Sequence, residues 1–155
     1  MRLKDTTLEI NSDGMAKFSV NMVGGKTMQT YLGNFKAKCL LNANEYIRAN
    51  REFMDLIGDS KNLGDPEEIA FALVQLKYRL VDVPPFWQSQ NSPYDGGEIK
   101  DYNIITSVFN ICMDAEREYE KMMQEDYDKV KEKIKKQREA LVKKKEKDES
   151  EDKEK

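Results

Sequence analysis

The side chains able to do chemistry in this chain are few, and histidine is missing from them altogether. That removes the commonest general base, the commonest zinc ligand and every Ser-His or Cys-His nucleophile pair. The two cysteines, Cys39 and Cys112, lie far apart with no Cys-x-x-Cys spacing, each in an apolar register of its segment, so both are expected to be buried thiols. Gly24, Gly25 and Lys26 lack the four-residue spacing and the following Ser or Thr of a phosphate loop, and read as a turn. The segment from Asp59 to Ala70 has Gly64 at the sixth place of a calcium loop, but Lys61, Leu63 and Ala70 occupy places that need oxygen ligands. Asp95 and Glu98 sit on a flexible loop that does not set the separation needed for acid–base work or a hydrated magnesium ion, and read as a solvated turn. No catalytic residue, metal site or cofactor follows, and the chain is expected not to be an enzyme.

Two features point instead to contact with other macromolecules. Pro84 and Pro85 stiffen the backbone ahead of Phe86 and Trp87, which makes either a low-entropy partner anchor or a plug for the end of the core. With Tyr94, and with Tyr119, Met122 and Met123 farther on, these aromatic and thioether side chains are the candidate partner-binding residues. The second feature is electrostatic: Lys129, Lys131, Lys133, Lys135, Lys136, Arg138, Lys143, Lys144 and Lys145 against two acids between positions 129 and 145. It has no interleaved aromatic beyond Tyr127 and contains acids, so it reads as a solvated helix end before it reads as a nucleic-acid surface.

The elements that must carry these residues show in the hydropathy pattern. Leu8 and Ile10 alternate with polar neighbours over positions 7–11, and between 15 and 23 Ala16, Phe18, Val20 and Met22 share one side of a strict period of two. After the glycine turn the alternation resumes over 28–39, with Tyr31, Phe35, Ala37 and Cys39 on one side, so the two longer strands are expected to pair as a hairpin. Asn42 followed by Glu45 reads as a capping box that opens a helix over 43–57, with Tyr46, Ala49, Phe53, Leu56 and Ile57 inward and Gly58 as its C-cap. Asp65, as N-cap, and Pro66 start a second helix over 66–82 with Ile69, Leu73, Leu76 and Leu80 as its stripe, stopped by the two prolines. Asp101, as N-cap with Ile99 as its staple, opens a third over 102–127, and Ile104, Ile105, Val108, Ile111, Cys112, Ala115, Tyr119 and Met122 form its apolar face. The expected fold is therefore α+β: an N-terminal antiparallel hairpin or small sheet packed on three helices, the last long, with a domain over 1–127. Beyond it, 128–155 reads as a charged helical extension that loses order from Glu146.

Composition agrees with that division. Of 26 basic and 29 acidic residues, 12 and 9 fall from Asp128 onward, which leaves an acidic body and a basic tail. A mean hydropathy of -0.80 is more polar than a compact globule of this length needs. No start-proximal apolar run follows a basic segment and no 18 apolar residues are consecutive, so neither a signal peptide nor a membrane helix is expected, and the cytoplasm is the expected location.

In order, the chain runs through Tyr31-Leu32-Gly33-Asn34-Phe35-Lys36, a helix from Leu41-Asn42 to Asp55-Leu56-Ile57-Gly58, then Leu76-Lys77-Tyr78-Arg79-Leu80-Val81-Asp82-Val83-Pro84-Pro85-Phe86-Trp87 and a charged helical tail. Over about residues 15 to 125 this layout resembles the tail assembly chaperones of tailed bacteriophages. The loop from Gln88 to Gly97 and the charged tail depart from that pattern. The resemblance implies a non-enzymatic helper in the host cytoplasm that binds the tape measure protein, yields to tail tube subunits, and self-associates. It puts no catalytic residue on this chain. Two other readings remain beside it: a structural virion component such as a neck or tail-completion protein, and a small regulatory or nucleic-acid-binding factor acting through the basic tail.

Overall fold

The computed structural model describes residues 7–58 and 64–153. The chain divides into two units, Met1–Tyr119 and Glu120–Lys155. The first holds a four-stranded antiparallel sheet in sequence order, β1 (Leu8–Ile10), β2 (Met15–Val23), β3 (Thr30–Lys38) and β4 (Leu80–Asp82), with the helices α1 (Ala43–Ile57) and α2 (Asp65–Arg79). The third helix, α3 (Tyr102–Lys153), begins in the first unit and supplies all of the helical structure of the second. The α+β architecture read from the sequence is the one observed.

The alternation in β2 and β3 sets their register. Phe18 faces Phe35, the rings stacked at 5.1 Å, and Ala16 faces Ala37, so the inner face is continuous and apolar. Onto it pack Ala72 and Leu76 of α2 and Ile104, Ile105, Val108, Ile111 and Cys112 of α3. A smaller cluster of Ala16, Cys39 and Ala115 lies beside it, with Tyr119 against it. Both thiols are free and buried, as their registers imply. Burial raises them, Cys112 to about 12 and Cys39 also above its ordinary value, although the Arg79 guanidinium opposes both shifts.

Four local readings are corrected. α2 ends at Arg79, because the β-branched Val81 and Val83 and the extended backbone demanded before Pro84 suit a strand, and Leu80–Asp82 pairs with the edge of β3. Its N-cap is Gly64, at φ 69°, so Asp65 lies inside the first turn, where its carboxylate acts on the helix dipole and makes no cap. β3 starts at Thr30, since Met28 takes a left-handed φ of 59° that ends strand geometry there. α1 buries Ala49 alone: Phe53 and Ile57 are half-buried, while Tyr46 and Leu56, expected inward, are exposed because α2 covers only one flank. The capping box itself forms: the Glu45 amide donates to Asn42 Oδ1 at 2.9 Å and the Asn42 amide to Glu45 Oε1 at 3.2 Å.

The compact unit closes at Tyr119, where the sequence places the boundary at Tyr127, because Met122 and Met123 emerge exposed. From Glu120 to Lys153 every residue is exposed, and helical bonding runs past Glu146, where loss of order is expected from composition. Neighbours such as Lys136 and Glu132, 3.3 Å apart one turn away, support a helix without a core.

Candidate partner-binding surfaces

The candidate residues do not converge on one site. Trp87, on the 3-10 turn Pro85–Trp87, is 1% exposed and meets Phe35 edge-on at 5.5 Å. Gly96 makes room for it, since a Cβ there would approach the indole to 2.6 Å, and the Gly96 amide donates to the Trp87 carbonyl at 2.6 Å. Trp87 is therefore a core plug and not a surface anchor, because its ring has no face left for a partner. Phe86 is half-buried, edge-on to Tyr31 at 5.2 Å and Phe35 at 5.9 Å, and shares the plugging role.

Tyr94 belongs to a polar cluster centred on Glu52 of α1. Its hydroxyl donates to Glu52 Oε2 at 3.3 Å, the Tyr78 hydroxyl donates to Oε1, and Lys77 Nζ lies 3.0 Å from Oε2. Burial alone would raise the Glu52 carboxyl, but the hydrogen bonds from Tyr78, Lys77 and Tyr94 hold it below its ordinary value. The same carboxylate raises Tyr78, and burial with that carboxylate raises Tyr94. An acidified glutamate whose oxygens already accept three donors is poorly placed to take a substrate proton; it ties α1, α2 and the long loop together. Asp95 and Glu98 are likewise occupied, accepting from the amides of Ser89, Gln90 and Asn91 at 3.1 to 3.3 Å. Asp59 to Leu63, five of the twelve residues of the calcium-loop candidate, lie outside the described residues. Among the described residues no group of three or more His, Cys, Asp or Glu side chains could hold a metal ion.

Asp101 is the polar group whose role the sequence understates. Read as the N-cap of α3, it supplies that helix only its carbonyl, to the Ile104 amide. Its fully buried carboxylate instead reaches the β2–β3 turn, accepting from the amides of Lys26 and Thr27 at 2.7 and 2.8 Å, from the Thr27 hydroxyl, and from the Tyr31 hydroxyl at 2.7 Å. Burial would raise its pKa, yet these four donors win and hold it far below the usual carboxylate range. Burial and the same contact raise Tyr31. Gly24 is required beside it, as a Cβ there would stand 2.1 Å from Asp101 Oδ2. Asn103 adds a contact from the Gly25 amide at 3.0 Å, and Lys26 Nζ lies 3.7 Å from the centre of the Tyr102 ring. The start of α3 is thereby fastened to the hairpin.

Apolar surface remains exposed on the sheet and its turn, at Val23, Met28 and Leu32, and on two helices. On α1, Tyr46, Ile47, Met54 and Leu56 are each about half exposed, and Phe53 with Glu67, Glu68 and Phe71 lines a depression of ≈ 530 Å³. Ile47 and Met54, seven residues apart, widen the apolar face of α1 beyond what one neighbouring helix can cover; that spacing was the signal for this surface. On α3, Met122 and Met123 of the candidate set are exposed, followed by Tyr127, Val130, Ile134 and Leu141, whereas Tyr119 is half-buried against Gly14. The nine basic residues of 129–145 are all exposed on the same helix.

No protein-family model matches the chain, and no curated protein or solved structure matches it either. Among the described residues no helix is long and apolar enough to cross a membrane.

Proposed function

We propose that this chain is a non-enzymatic binding protein that acts as a tail assembly chaperone of a tailed bacteriophage, holding a tape measure protein while the tail is built. The observation that supports the reading is uncovered apolar helix surface, on α1 at Tyr46, Ile47 and Met54 and on α3 from Met122 to Leu141. A client made of long amphipathic helices docks into such surfaces through residues three and four apart, and the polar surroundings keep the pair in solution. The stated contact residues are accordingly the α1 set with Met122 and Met123, and the basic residues of 129–145 add attraction for an acidic client.

Co-expression with the candidate tape measure protein, followed by purification through a tag on this chain, tests the proposal, with mass spectrometry of finished particles in parallel. Capture of the client and absence from particles are the expected results. Presence in particles at fixed copy number would make the chain a structural part of the virion. Binding to nucleic acid that collapses with salt, and no client capture, would favour the basic-tail factor.

A further inference from the structure

The helix of the second unit carries a pattern that its composition hides. Met123, Tyr127, Val130, Ile134, Gln137 and Leu141 follow spacings of four, three, four, three and four, the alternation that places residues at the d and a positions of successive heptads. All of the apolar members are exposed, between 39% for Met123 and 61% for Tyr127. The same spacing recurs in the buried Ile104, Val108, Ile111 and Ala115, but there Ile105 and Cys112 widen the face, whereas between 123 and 137 the apolar residues keep to the a and d positions alone, the narrow uncovered stripe of a coiled-coil seam.

Charge decides what covers the seam. Positions 120 to 128 hold four acids and Lys121, whereas positions 129 to 137 hold five lysines and Glu132. A parallel pair of copies would set acid against acid and lysine against lysine. An antiparallel pair centred between Asp128 and Lys129 sets each acidic stretch against the basic stretch of the other copy. The same register brings a positions opposite d positions throughout: Met123 faces Ile134, and Tyr127 faces Val130, twice each by symmetry, with Glu120 facing Gln137 at the two ends. Asp126 and Lys133, both at g positions, then flank the Met123–Ile134 layer as opposite charges. One register satisfies the apolar seam and the charges together.

We propose that this protein pairs with a second copy of itself through an antiparallel two-helix coiled coil over residues 120 to 137. The pairing buries four apolar layers and gives a C2 interface, in which the same patch serves both copies. With so few layers the dimer is reversible, which suits a protein that must also release what it binds. The second copy would occupy Met123, Tyr127, Val130 and Ile134, which the client reading also uses, so the two occupants alternate on one surface, and the pairing is tested on the purified full chain with no client present.

Sedimentation velocity over a range of protein concentrations is the first measurement, with a concentration-dependent monomer–dimer equilibrium expected. Orientation is read by mixing full-length Met123→Cys chains with Ile134→Cys chains under mild oxidation. Disulfides between unlike variants are expected, and disulfides between like variants would establish a parallel pair and overturn the proposal. Asp126→Lys and Lys133→Asp should each weaken the dimer by about tenfold, as two symmetric pairs turn repulsive, and the double variant should recover most of that loss. A chain that stays monomeric at its highest soluble concentration, or a dimer indifferent to these substitutions, would also sink it. Loss of client capture with an intact dimer would count against the chaperone alone.

Discussion

One helix runs through two environments. Between Ile104 and Ala115 α3 buries six side chains under a sheet, whereas from Glu120 to Lys153 it buries none, although apolar residues recur at helical spacing in both stretches. Apolar periodicity creates a face but does not cover it. In the first unit the cover is the inner side of β2 and β3, and Asp101 holds that cover to the start of α3. In the second, the helix is sustained by charge pairs one turn apart, and its apolar residues are exposed.

The contrast breaks most sharply if the first unit is hollowed. Trp87→Ala removes a fully buried ring from among Phe35 and its neighbours, and should cost about 3–5 kcal/mol in urea unfolding. Next in size is the polar clamp. Asp101→Ala strands the amides of Lys26 and Thr27 and the Tyr31 hydroxyl, and should lower Tm by roughly 10 °C. Gly24→Ala should act in the same direction by pushing the carboxylate off those donors. If either clamp variant melts like the parent, the fastening assigned to Asp101 is wrong.

Much of the first unit was legible because its signals are local. The period of two from Met15 to Val23 and the capping box at Asn42 and Glu45 each bind a pattern to a backbone geometry within a few residues. What was not legible depends on partners far along the chain. Leu80–Asp82 continues a helical stripe in sequence and becomes a strand only because the edge of β3 is there to pair with. Asp101 looks like an ordinary helix cap until the turn at Lys26 and Thr27, some 75 residues earlier, folds onto it. Phe86 and Trp87 read as plug before anchor, and the choice for Trp87 was made by the space that Gly96 leaves over the indole. For the candidate surface, composition set the end of the body at Tyr127, beyond the close of the compact unit at Tyr119, and did not show that α1 would be covered on one flank only.

Acid should sharpen the same comparison. The folded pKa of Asp101 is depressed, so its contribution to stability is fully present above the unfolded value and is lost as pH falls below it toward the folded one. Glu45, paired with Lys38, and Glu52 are shifted in the same direction. Tm should therefore fall steeply below about pH 4, the ordinary carboxylate range, and the fall should be shallower in Asp101→Asn. Tyr31, Tyr78 and Tyr94 are raised, so the opposite limb begins as pH rises above about 10. An acid limb unchanged in Asp101→Asn would remove Asp101 as its main source.

The smallest effect on the fold is expected where the apolar residues are already in water. Ile134→Ser changes a residue that is 44% exposed, and at concentrations where the chain is monomeric it should alter unfolding of the first unit by no more than about 0.5 kcal/mol. At higher concentration the parent gains stability in its second unit by mass action, because the pair forms only between folded helices, and the variant should not. Helicity measured against concentration separates the two cases: parent and variant should coincide when dilute and part as the chain is concentrated. Coincidence at every concentration would mean that the seam is surface after all. A gap already present in dilute solution would mean that Ile134 is covered within one molecule, and the contrast between the two halves of α3 would have to be redrawn.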